Sequence, residues 1–135
     1  MVDKQIVEAQ VRVRFAETDA QGVVYYANFF VWFEVGRMTY LRQRGVDYGT
    51  LEREGVGFVV AEATCRYHAP AHFDEVLAVR TWVEELKNRS FTFAYEVVNQ
   101  ETGQLLATGR TVQVFVDRQG RPVEIPPRLR ALLEA

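Results

Sequence analysis

Five large apolar residues stand in unbroken succession at Phe29-Phe30-Val31-Trp32-Phe33, and the apolar character continues through Val35, Met38, Tyr40 and Leu41. Charges at Glu34, Arg37, Arg42 and Arg44 leave no broad polar face, and Gly45 supplies a stop signal. The pattern predicts a helix reaching Arg44 and beginning anywhere from Tyr25 to Asn28. A helix apolar around most of its girth must be buried on most sides rather than laid on a surface. The rest of the chain therefore has to surround it.

What surrounds it reads as strand. Val7, Ala9, Val11, Val13 and Phe15 alternate with Glu8, Gln10, Arg12 and Arg14, a period of two with one wet face. After a short helical turn around Tyr48 to Arg53, strand-like runs cover Phe58 to Tyr67, Glu75 to Glu85, Phe91 to Val97 and Leu105 to Val116. Thr102-Gly103 and the stretch from Asp117 to Gly120 are turn signals. Pro126 and Pro127 precede a short amphipathic helix, Leu129 to Leu133. Consecutive strands tend to pair as antiparallel neighbours. The expected fold is α+β, an antiparallel sheet of about five strands wrapped around one long central helix. With no repeat, linker or low-complexity tract, residues 1–135 form one expected domain, a length sufficient for one core.

Sixteen basic against eighteen acidic residues give a net charge of -2, which argues against an electrostatic grip on nucleic acid or an anionic membrane. No apolar run approaches the roughly 18 residues of a membrane span. The first ten residues carry Asp3 and lack an apolar core of the signal-peptide kind. Cys65 is the single cysteine, which fits a reducing compartment. These features predict a soluble cytoplasmic protein without a membrane span or a nucleic-acid partner.

Chemistry concentrates between Arg14 and Asn28, in Arg14-Phe15-Ala16-Glu17-Thr18-Asp19-Ala20-Gln21-Gly22-Val23-Val24-Tyr25-Tyr26-Ala27-Asn28. A strand ends, an acidic loop with a glycine follows, and the greasy helix begins. A helix start offers unpaired N–H groups and the positive end of the dipole, which can stabilise an oxygen that becomes negative during acyl transfer. Asp19 precedes it closely, and a carboxylate of reference pKa about 3.9 is ionised at neutral pH unless desolvated. It could attack an acyl carbonyl or take a proton from water. A thioester assists either route, since a thiol of pKa about 8.5 leaves readily. On spacing alone, Asp19 and Gly22 read first as turn and cap residues.

Cys65, His68 and His72 have the spacing C-x2-H-x3-H, which superficially suits zinc. Strand alternation turns Cys65 and His68 to opposite faces, Pro70 opposes a helix through both histidines, and no fourth ligand is obvious. No metal site is predicted. Cys65 follows Ala61 and Ala63 in an alternation that reads as core packing, not as a thiol nucleophile. Phe29, Phe30, Trp32 and Phe33 read first as core and second as an acyl-pocket lining.

The stretch Thr18-Asp19-Ala20-Gln21-Gly22-Val23-Val24-Tyr25, then Asn28 to Arg37, and later Tyr67-His68-Ala69-Pro70-Ala71 with Asp74-Glu75, resemble the 4-hydroxybenzoyl-CoA thioesterase family of hotdog proteins. The likeness extends from about Val11 to Val116 and is especially close to the bacterial acyl-CoA thioesterase branch associated with the Tol–Pal system. The resemblance implies a hotdog fold and hydrolysis of an acyl-CoA by a homodimer or homotetramer without a cofactor, CoA being part of the substrate. It implies a catalytic role for Asp19 and an oxyanion-binding role for the backbone N–H of Tyr26. Gly22 corresponds to the loop glycine that admits the thioester, and Asn28 to an asparagine that braces the loop or caps the helix. Ala63 and Thr64 correspond to strand backbone reaching the site from the second subunit. Lys87 and Arg89, in Lys87-Asn88-Arg89, correspond to a basic segment contacting CoA phosphates, a task their charge suits. Where the Tol–Pal-associated branch has histidine this chain has Tyr26, as in the aryl-CoA branch.

Two alternatives accompany this expectation. A hotdog hydratase or dehydratase generally needs a histidine in the active-site loop, and none occurs here before His68. A non-catalytic acyl-CoA-binding module would bind the same ligand without turnover.

Overall fold

A computed structural model describes residues 5–134 of the protein. Asp3, used above in reading the N-terminus, lies outside the described residues. The elements follow in the order β1 (Val7–Arg12), a single 3₁₀ turn (Phe15–Glu17), α1 (Asn28–Gln43), α2 (Tyr48–Glu54), β2 (Gly57–Tyr67), β3 (Val76–Leu86), β4 (Ser90–Asn99), β5 (Leu105–Val116) and α3 (Pro127–Glu134). All strand pairs are antiparallel, in the sheet order β1-β3-β4-β5-β2.

The long helix α1 lies against one face of this sheet. Phe29, Trp32, Phe33, Gly36, Tyr40 and Leu41 are its buried residues. The Phe33 ring stacks on Tyr95 of β4 with centroids 4.4 Å apart, and Tyr40 meets Phe93 edge-on at 5.2 Å. Helix and sheet approach so closely that any side chain at Gly109 of β5 would overlap the Phe33 ring. The aromatic run is thus core, as its composition requires. The helix ends at the Arg44–Gly45 turn, with Gly45 at a positive φ of 78°.

Four expectations need correction. Consecutive pairing holds for β3, β4 and β5, but β2 pairs with β5 and β1 with β3, so the two earliest strands form the sheet edges. The reason lies in the 68–75 connection between β2 and β3. It runs across one end of the sheet: His68 N–H bonds to Leu106, Ala71 accepts from Val24, and Asp74 N–H bonds to Val13. The second correction concerns Phe15. The β1 ladder ends at Arg12, and the 3₁₀ turn leaves Phe15 74% exposed, edge-on to Phe73. Third, α1 keeps one apolar side open, with Val31 54% exposed. Fourth, Ala61 and Ala63 are exposed rather than core, because β2 is an edge strand with little against it.

Candidate active site

The acidic loop between the 3₁₀ turn and α1 closes on itself. Thr18 and Val24 pair as an isolated antiparallel bridge, the Asp19 N–H donates to Val23 C=O at 2.9 Å, and the Gly22 N–H returns to Asp19 C=O at 3.0 Å. Gly22 takes φ +81°, a left-handed conformation that a side chain disfavours. The loop is docked at 2.8 Å by Val24 N–H to Ala71 C=O, so the two sequence motifs meet at one end of the sheet.

Asp19 is half-buried at this tip. Its Oδ1 accepts the Gln21 N–H at 2.8 Å, and no described residue donates to Oδ2. The Tyr25 and Tyr26 rings lie 4.7 Å apart. The neighbouring Tyr26 phenol first, and the Asp19 carboxylate least, raise the Tyr25 phenol above its ordinary value. Asp19 therefore lies within electrostatic reach of the tyrosine pair.

At the entry to α1, Asn28, Phe29 and Phe30 donate their N–H groups to the carbonyls of Tyr25, Tyr26 and Ala27. The Tyr26 N–H donates to no described residue. Asn28 is the first helical residue, and its Nδ2 donates to Glu17 C=O at 2.8 Å, so it braces the loop; the N-cap position belongs to Ala27. A carboxylate with one open oxygen thus stands on the loop that delivers an unpaired amide to the helix start.

Sequence reasoning assigned no role to Glu17 or Tyr67, yet both hold this arrangement. The Tyr67 hydroxyl donates to Tyr26 C=O at 2.8 Å, and its ring meets Phe29 edge-on at 5.2 Å. Burial, followed by the neighbouring Cys65, holds the Tyr67 phenol well above its ordinary value. Its place in the second motif, at the end of a strand, was the available signal. For Glu17 there was none: a loop glutamate reads as solvated, whereas this one is 6% exposed.

The remaining candidates lie elsewhere in the subunit. Ala63 and Thr64 sit mid-strand on the β2 edge, paired on their inner side with Thr111 and Arg110. Lys87 and Arg89 lie in the β3–β4 hairpin, where the exposed Lys87 ammonium is 3.8 Å from Glu85. The Asp19 loop is docked on Ala71, in the connection before β3 starts, and Lys87 follows where β3 ends. The eleven residues of β3 run between these two points, which lie at opposite ends of the sheet. One subunit does not bring them together. Cys65 is half-buried and burial pushes its thiol up, which disfavours the nucleophilic thiolate. His68 bonds to Thr108 and His72 to Glu75. Among the described residues no three His, Cys, Asp or Glu side chains are grouped to hold a metal.

A five-stranded antiparallel sheet carrying one long buried helix defines a protein of the hotdog-fold class. Comparison with known proteins places it further: the chain belongs to the thioesterase-like superfamily, which matches residues 13–133. It is 36% identical over 118 residues to the acyl-CoA thioester hydrolase YbgC of Escherichia coli O157:H7, covering 87% of this chain and 84% of that protein. Among solved structures, a hypothetical protein, TT1821, from Thermus thermophilus superposes with a TM-score of 0.86 at 36% identity, covering 94% and 96% of the two chains. The gentisyl-coenzyme A thioesterase BH1999 superposes with a TM-score of 0.83 at 31% identity, covering 92% and 99%.

Proposed function

We propose that this protein hydrolyses acyl-CoA thioesters to a carboxylic acid and free CoA, with Asp19 as the catalytic carboxylate. The observation that carries this reading is the pairing of an open Asp19 oxygen with the unpaired Tyr26 N–H on one loop. The amide receives the carbonyl oxygen as it becomes negative. Asp19 either attacks the acyl carbon, giving an anhydride that water then cleaves, or draws a proton from a water that attacks. In both routes the C–S bond breaks and the thiolate of CoA takes up a proton. Carboxylate, water and amide suffice, so no resident cofactor is required.

The working assembly in this reading is a homodimer through β2, paired again into a tetramer. The β2 edge is eleven residues long, with Val59 52% and Val60 43% exposed, the kind of edge that natural proteins cover. An antiparallel two-fold pairing of β2 edges reverses the second sheet relative to the first. It would bring Lys87 and Arg89 of the partner subunit to the sheet end that carries Asp19, where they could hold CoA phosphates. Ala63 and Thr64 would lie on the shared edge. The lone Cys65 supports a cytoplasmic setting. Among the described residues no helix is long and apolar enough to cross a membrane.

Thiol release from a panel of acyl-CoAs, followed with a thiol reagent, tests the reading. Turnover of at least one acyl-CoA is expected. Binding without turnover would replace it with a non-catalytic acyl-CoA-binding role.

A further inference from the structure

The carboxylate of Glu17, buried two residues before Asp19, takes no part in the chemistry above. Burying an ionised carboxylate is costly unless charge-assisted hydrogen bonds compensate. Here Oε1 accepts the Arg14 N–H at 2.7 Å, and Oε2 accepts the Trp32 indole N–H at 3.3 Å with the Arg14 guanidinium 3.5 Å away. Its backbone carbonyl accepts twice more, from the Tyr25 N–H and from Asn28 Nδ2, each at 2.8 Å. One residue thus ties together the end of the first strand segment, the body of α1, and both flanks of Tyr26. Trp32 is itself fixed, buried and edge-on to Phe29 at 4.8 Å.

We infer that Glu17 is a positioning residue which, through Trp32, sets the Asp19 carboxylate in register with the Tyr26 N–H. The inference rests on the thioesterase reading. Space filling alone is met more cheaply by an apolar side chain. A carboxylate that grips the helix by an indole hydrogen bond and the loop by its own backbone fixes a relative placement, which packing alone leaves looser. The demand is on geometry, where a shift of about 1 Å costs about a hundredfold in rate.

The test is steady-state kinetics on Glu17→Gln, Trp32→Phe and the double variant, beside wild type and Asp19→Asn, with melting temperatures recorded. Glutamine retains one acceptor oxygen but turns an NH₂ toward a donor; phenylalanine keeps the ring and removes the indole N–H, so either variant can be read if the other misfolds. Each single variant should lower kcat by about tenfold while KM changes less than about twofold, since the loss lies in alignment and not in binding. The double variant should be no slower than the slower single, because both remove one contact. Losses that multiply, an unchanged kcat, or a rate that falls only in step with the folded fraction would overturn the inference. If those results came with an active wild type and an inactive Asp19→Asn, the thioesterase reading would stand. A wild type inert on every thioester would overturn both.

Discussion

At the scale of single residues, the predictions separate chemistry from support. Asp19→Asn keeps the Oδ1 that accepts from Gln21 while removing the charge, so the fold should survive and turnover should fall at least about a hundredfold. Near wild-type turnover in the purified variant would remove Asp19 from the reaction. Tyr67→Phe deletes the hydroxyl that holds Tyr26 C=O, a hydrogen bond worth about 1 kcal/mol, and kcat should drop several-fold with little change in melting temperature. Burial raises the phenols of Tyr40, Tyr67 and Tyr95. The folded chain then keeps protons that the unfolded chain releases above pH about 10, so stability is full below that pH and is lost progressively above it, as pH rises toward the raised folded-state values. Melting curves between about pH 8 and 11 should show this decline, and Tyr95→Phe should flatten it. The turn that carries Asp19 and Gly22 was legible from residue type. Glu17 and Tyr67 were not, because their importance lies in partners far along the chain or across a sheet end.

At the scale of elements, periodicity located nearly everything. The core face of β1 and the span of α1 follow directly from alternation and from the greasy run that Gly45 terminates. Pairing was not legible: β1 with β3 and β2 with β5 are contacts closed by α1 and by the chain's return, and nothing local encodes them. The same gap explains the misreading of Ala61 and Ala63, since alternation reports which residues share a face but not whether anything covers it. The α1–sheet contact carries its own prediction. Gly109→Val places a branched side chain where the Phe33 ring lies, and overpacking of this kind costs about 1–3 kcal/mol. The denaturation midpoint should fall at unchanged m, while Gly103→Ala, at an open turn, should act only through its positive φ.

At the scale of the whole molecule, one chain holds the groups proposed for the chemistry but not every group proposed to bind the substrate. If the β2 edges pair, light scattering should give at least twice the 15.5 kDa of a single chain. Removing the charges of Lys87 and Arg89 together should then raise KM for CoA thioesters more than for pantetheine thioesters that lack the nucleotide phosphates. An equal effect on both substrates would sever that hairpin from phosphate binding. Ala63→Pro, which removes an N–H on the open side of the edge strand, should shift the protein toward monomers and depress turnover together.

Tyr67 occupies the last position of β2, and its hydroxyl reaches Tyr26 at the threshold of α1. One rigid ring therefore joins the seam where two copies would meet to the residue whose N–H is proposed to receive the reacting oxygen. Loosening the seam would slacken the cradle, and output per subunit should sag on dilution before any unfolding is detectable.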